Sequence, residues 1–178
     1  MEVDQSGKAE QLDTHTVVAF SNGEQGAVYV TAAVKRFIYQ SLPEFLVSRE
    51  DFDVIFFAIL VFLAIRNKKI DSLVIDEEYT GKDVIIREKL KELLKKENLK
   101  IPEIKFALIG KLSPAHRLAW AIHKKKAKLL AKVIVERDIL RLFTAKEKSR
   151  VRQPHSPLLR RGSAHHPTVN GLYHKKSR

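Results

Sequence analysis

Ser72-Leu73-Val74-Ile75-Asp76-Glu77-Glu78-Tyr79 is the stretch on which the fold reading turns. Leu73-Val74-Ile75 reads as a short buried strand whose carboxyl end is acidic. Residues two apart on a strand share a face, so Asp76 and Glu78 are neighbours and Glu77 points away. An α/β sheet places its chemistry at the carboxyl ends of its strands, where these acids stand. Upstream lies Val54–Ile65, twelve residues without a polar side chain, bounded by Asp53 and Arg66. As a helix this run spans ~18 Å, short of the ~30 Å of a bilayer core, so no membrane span is expected. A helix apolar on every side is one buried from two directions, so it is read as the central core helix. Ser48 is its N-cap candidate, Glu50 and Asp51 enter its first turn, and Lys68 and Lys69 sit at its negative end.

Outward from this centre the pattern alternates. Thr14–Phe20, with its Thr16-Val17-Val18 run, predicts a strand, and Ser21-Asn22-Gly23 a turn. Ala27–Val34 predicts the hairpin partner, and Phe37–Gln40 a short third strand. Downstream, Asp83 to about Glu97 has helical apolar spacing, and Ile104–Ile109 reads as another strand. Ser113-Pro114 opens a last helix, with serine as cap and proline at its first position; it extends through Lys124-Lys125-Lys126 toward Phe143. The expected class is α/β: a mixed sheet of about five strands with helices on both faces. Residues 1–13, polar and acidic, are expected as a flexible leader and not a signal peptide. Residues 14–145 form the α/β domain. Residues 146–178, rich in Arg, His, Pro, Ser and Gly, form a basic tail, disordered or ordered by a partner.

Composition narrows the chemistry. The chain has no cysteine, which excludes disulfides, thiolate metal sites and cysteine nucleophiles, and fits a reducing, cytoplasmic setting. Residues 1–100 carry 14 basic and 17 acidic side chains, and residues 101–178 carry 19 basic and 4 acidic. The net charges of these segments are therefore −3 and +15, and such asymmetry points to a polyanionic partner, nucleic acid before anionic membrane. Lys82, Lys111 and Arg117 lie at the same element ends as the acids; Lys124, Lys125, Lys126 and Lys128 continue along the last helix. These seven are the candidate phosphate contacts; a solvated lysine face has the same pattern.

Asp53, Asp76 and Glu78 are candidate ligands for Mg²⁺ or Mn²⁺, because carboxylates from different elements make a hard-oxygen site. Acids at helix starts and strand ends also serve as ordinary caps and ion-pair partners. His116 follows Ser113-Pro114 in the first turn of a helix, where the dipole disfavours a protonated ring; a neutral imidazole takes a proton, binds metal or does neither. No nucleophile elbow accompanies it, and Gly81-Lys82 lacks the glycine-rich lead of a phosphate loop.

The element order and these residues resemble the ribonuclease H-like family over Thr14 to about Val133. That family has three antiparallel strands, then helix, strand, helix, strand, helix. Its metal ligands lie on the first strand, at the start of the first helix, at the end of the fourth strand and at the start of the last helix. By this resemblance Asp76, with Tyr79 close behind, takes the fourth-strand place. Asp53 takes that of the first helix, and His116, ahead of Leu118-Ala119, that of the last. Asn22 stands where the family has an aspartate before glycine, a departure, with Glu24 the nearest substitute. The resemblance implies a Mg²⁺- or Mn²⁺-dependent endonuclease, a hydrolase acting on RNA, an RNA/DNA hybrid or a branched nucleic acid, with Asp53, Asp76 and His116 catalytic. The alternative is a non-catalytic nucleic-acid-binding protein on the same fold, such as a ribosome-associated component. A third reading is a scaffold whose tail meets a protein or an anionic lipid surface.

Overall fold

The computed structural model describes residues 1–125 and 130–143. Their order is β1 (Glu2–Ser6), β2 (Thr16–Asn22), β3 (Glu24–Val30), α1 (Ala32–Ser41), α2 (Phe52–Ile65), β4 (Ser72–Asp76), α3 (Asp83–Lys96), β5 (Glu103–Ala107), α4 (Pro114–His123), β6 (Ala131–Val133) and α5 (Glu136–Phe143). The chain is an α/β protein with a six-stranded mixed sheet, ordered β5-β4-β1-β2-β3-β6. β1, β2 and β3 pair antiparallel; β4 joins β1 parallel, β5 joins β4 parallel and β6 joins β3 parallel.

The hairpin forms where the β-branched runs and the turn residues put it. Thr16 pairs with Val30 and Asn22 with Glu24, and Gly23 takes φ +73° at the tip. Alternation sorts the two faces of the sheet. Val3, Val18, Phe20, Val28, Val30, Leu73 and Ile75 face the larger core, which holds α1, α2, α3 and α5. Val17, Ala19, Ala27 and Tyr29 face the other way and pack on Leu118, Ala119 and Ile122 of α4. α2 buries eleven of its fourteen residues between the sheet and α3, as an all-round apolar helix must. No helix among the described residues is long and apolar enough to cross a membrane.

Three expectations are corrected. Residues 1–13 are not a flexible leader: Glu2–Ser6 is a central strand with neighbours on both edges, and Val3, Asp4 and Gln5 are buried. Phe37–Gln40 is helical, because Thr31 caps α1 by accepting the Val34 N–H at 3.2 Å on its Oγ1. The last helix does not run on toward Phe143. It stops at His123; Lys125 takes φ +62°, and the chain then makes β6 and α5. The expected basic tail, 146–178, lies outside the described residues, as do Lys126 and Lys128.

β1 ends at Gly7, whose φ of +76° lies in the left-handed region. A Cβ there would stand 2.2 Å from the His15 carbonyl oxygen and 2.6 Å from the His123 ring. Only glycine lets the chain leave β1 under α4 in this way. Gly7→Ala is expected to destabilise the fold by about 2–4 kcal/mol, combining left-handed strain with a backbone clash. Urea unfolding of parent and variant measures it; a loss under about 0.5 kcal/mol, the scale of an ordinary surface change, contradicts this account of the turn.

Candidate metal centre

β1 and β4 run side by side in the same direction, with Glu2 opposite Val74 and Val3 opposite Ile75. One residue further, this register brings Asp4 beside Asp76. Both stand on the α4 face, since Val3 and Ile75 face the larger core. Glu78 follows two residues later, where the Glu78 N–H donates to the Asp76 carbonyl at 2.9 Å and turns the chain. The result is three carboxylates, Asp4, Asp76 and Glu78, each offering an oxygen within 4.8 Å of the others.

The chain holds this group in place by bonds from several elements. Asp4, 1 % exposed, accepts the Gln5 N–H at 2.6 Å on Oδ1, and its Oδ2 lies 2.7 Å from His116 Nδ1. Asp76 Oδ1 accepts the Ile109 N–H at 2.6 Å, which ties β4 to the loop before α4. Ser113 caps α4 by accepting the Ala115 N–H at 3.1 Å, while its hydroxyl donates to Glu2 at 2.6 Å. That pair fixes the start of α4 over β1 and so sets His116 above Asp4. An ionised Asp4 only accepts, so Nδ1 of the half-buried ring is the donor in this bond.

Like charge and burial strain this group. Asp4 is raised above the usual 3.8, first by burial and then by Asp76, against the Gln5 N–H bond and His116, which lower it. Glu78 is raised above 4.5, first by burial and then by Asp76, Asp4 and Glu10; Lys8 acts the other way. A cation among the three carboxylates would relieve the repulsion that raises Asp4 and Glu78. The three carboxylates could therefore hold a metal ion, and their spacing does not select which one.

Of the sequence-predicted residues, Asp76, Glu78 and His116 come together. Asp53 does not. α2 packs on the opposite face from α4, and Asp53 is raised by burial and by Glu10 and lowered by Lys35, with no member of the carboxylate group acting on it. Lys35 is itself fully buried, donating to the Lys8 carbonyl at 3.0 Å, the Gln11 carbonyl at 2.6 Å and Thr16 Oγ1 at 2.8 Å. Burial brings its pKa down to about 8. Asp53 and Lys35 thus belong to a second polar group behind the sheet.

Asn22 lies in the exposed hairpin tip, three positions past the partner of Asp4, and Glu24 is paired with Lys68 at 2.5 Å. Neither reaches the carboxylates. The first-strand acid is Asp4, which the sequence reading passed over. Its signal was an aspartate three residues ahead of Gly7 in Val3-Asp4-Gln5-Ser6-Gly7, hidden by the polarity of the stretch.

Among the basic candidates, Lys82 is occupied by Asp51 at 3.2 Å and Glu50 at 3.4 Å, away from the centre. Arg117 is exposed and donates to the Leu112 carbonyl, at 2.7 Å from its terminal nitrogen. Lys111, Lys124 and Lys125 are exposed. No protein-family model, curated protein or solved structure matches this chain.

Glu78 provides a test of the strain. Because its folded-state pKa is raised, the folded chain keeps that proton to higher pH than the unfolded chain. The associated stability is complete below about pH 4.5 and is lost as pH rises through the raised value. Glu78→Gln removes the titration. The variant is expected to melt a few degrees above the parent at pH 7 and level with it near pH 4, followed by circular dichroism. A variant that melts lower at pH 7 contradicts a strained carboxylate.

Proposed function

We propose that this chain is a ribonuclease H-like, metal-dependent nuclease that cleaves the phosphodiester backbone of RNA, a hybrid or a branched nucleic acid. The observation that carries the reading is the convergence of Asp4, Asp76 and Glu78 beneath His116. An antiparallel β1-β2-β3 unit followed by β4 and β5, parallel and joined through helices, supports it. So do the positions of the acids: Asp4 on the first strand, Asp76 at the end of the fourth, and His116 at the start of the helix after the fifth. The place of the first-helix ligand is taken by Glu78 instead of Asp53.

Asp4, Asp76 and Glu78 would hold Mg²⁺ or Mn²⁺, which supplies charge to the phosphate oxygens and acidifies bound water. The chain's own residues do the rest. Asp4 orients His116 through Nδ1 and leaves Nε2 at the rim, where it takes up or returns a proton. The Ile109 N–H keeps the Asp76 carboxylate turned to the group. Lys111 and Arg117, on either side of the α4 start, supply positive charge for the scissile strand. The reading as a non-catalytic binding protein rested on a neutral residue at the first-strand place and on the basic tail; Asp4 beside Asp76 weakens the first, while the tail lies outside the described residues. A cytoplasmic location accords with a cysteine-free, nucleic-acid-directed chain.

Labelled RNA, DNA, hybrid and branched substrates incubated with Mn²⁺ or Mg²⁺ test the proposal. Cleavage is expected to need the ion. Asp4→Asn and Asp76→Asn should each lose more than about 100-fold in rate, beyond the 10–100-fold typical of outer-shell partners, with binding retained. Asp53→Asn should stay within a few-fold of the parent. No turnover on any substrate with either ion overturns the proposal.

A further inference from the structure

α4 buries Ala115, Leu118, Ala119 and Ile122, and two of these are alanines that let it lie close on the sheet. The outward surface that remains carries His116, Arg117, Trp120 and Lys124. Residues four apart lie on one side of a helix, ~6 Å apart along its axis. Trp120 therefore sits one turn beyond His116, on the same flank. It is the one tryptophan of the chain, and it is 46 % exposed. Phe52, Phe56, Phe57 and Phe62 are almost wholly buried, while Phe37 in α1 and Phe45 beyond its end are exposed; what sets Trp120 apart is its place among cations.

Its surroundings select the partner. Lys111 precedes the helix between the exposed Leu108 and Leu112, Arg117 lies beside His116, and Lys124 and Lys125 close the far end. Lys111, Lys124 and Lys125 have no carboxylate at ion-pair distance among the described residues. An aromatic plane framed by cations that spare charge for phosphates is the pattern of a single-strand binding surface. A lipid surface fits less well, since Glu2, Asp4, Asp76 and Glu78 stand next to the ridge and repel anionic headgroups.

We propose that the α4 ridge from Lys111 through Trp120 to Lys125 is a track for an unpaired stretch of nucleic acid, with one base stacked on the Trp120 indole. This rests on the nuclease reading for the polymer class and adds to it that the strand next to the metal centre is single-stranded or has a base extruded from the duplex. Arg117, Lys111, Lys124 and Lys125 hold phosphates without reading sequence. The next phosphates along the strand are thereby led toward His116 and the carboxylates.

The lone indole is its own reporter. The full chain in EDTA, where no cleavage occurs, is titrated with oligothymidylate, oligouridylate, a blunt duplex and phosphatidylglycerol vesicles while tryptophan fluorescence is followed. Saturable quenching is expected with the single strands and much less with the duplex. Trp120→Ala should weaken single-strand binding roughly 5- to 150-fold, the weight of one base–aromatic stack, and Trp120→Phe should recover most of it. Lys124→Gln should reduce the slope of log affinity against log salt by about 0.7. Single-strand binding that leaves both the fluorescence and the Trp120→Ala affinity unchanged overturns the track, as does a spectral response to vesicles alone. Quenching without Mn²⁺-dependent cleavage upholds the track and removes the nuclease reading; cleavage without quenching does the reverse.

Discussion

The parallel pairing of β1 with β4 is the constraint from which the rest of the centre follows. Two register pairs, Glu2 with Val74 and Val3 with Ile75, decide that Asp4 and Asp76 stand side by side on one face. A slip of one residue by either strand would send its own carboxylate into the apolar core, where ionised groups are not tolerated. Val3 and Ile75, fully buried on the other face, are what prevent that slip. The same alternation that builds the core aims the acids.

Around this pair the chain spends its polar bonds on positioning. The Gln5 N–H holds one oxygen of Asp4 and His116 the other; the Ile109 N–H holds Asp76. The Gln5 side chain crosses to the opposite face and donates to the Tyr79 hydroxyl at 3.2 Å, linking β1 to the chain just after Glu78. Burial pushes the Tyr79 phenol upward, so it remains a neutral donor and acceptor. Lys35 pins the loop after Gly7 by bonding the Lys8 and Gln11 carbonyls, and that loop carries Lys8 and Glu10, whose charges bear on Glu78. Two polar groups, one on each side of the sheet, are coupled through β1. Yet their acids do not merge, because a sheet and its apolar face lie between them.

α4 is the other fixed point. Its serine cap bonds Glu2 at one end and its His123 carbonyl lies 2.9 Å from His15 Nε2 at the other, so the helix is tied along the length of β1. Gly7 allows the closest approach. Fixing both ends leaves a helix of ten residues, which carries His116 and Trp120 on one flank, little freedom to roll.

The chain's local patterns were enough for α2, α3, β4, β5 and the β2–β3 hairpin, since apolar period, caps and turn residues act within a few neighbours. They also placed Asp76, Glu78 and His116, which sit at strand and helix ends. They failed at β1, because two of its buried residues are polar: Asp4 faces the carboxylate group and Gln5 the Tyr79 hydroxyl. A strand built around a site does not look like a strand. They also failed to separate Asp53 from Asp76, since which acids meet depends on strand order and on the face against which a helix packs. Those are settled by contacts between residues some seventy positions apart, such as Glu2 with Val74. One-dimensional order thus determined the parts and the chemistry they bear. Three-dimensional packing alone chose Asp4 over Asp53, because only a paired, two-sided sheet defines what lies across from what.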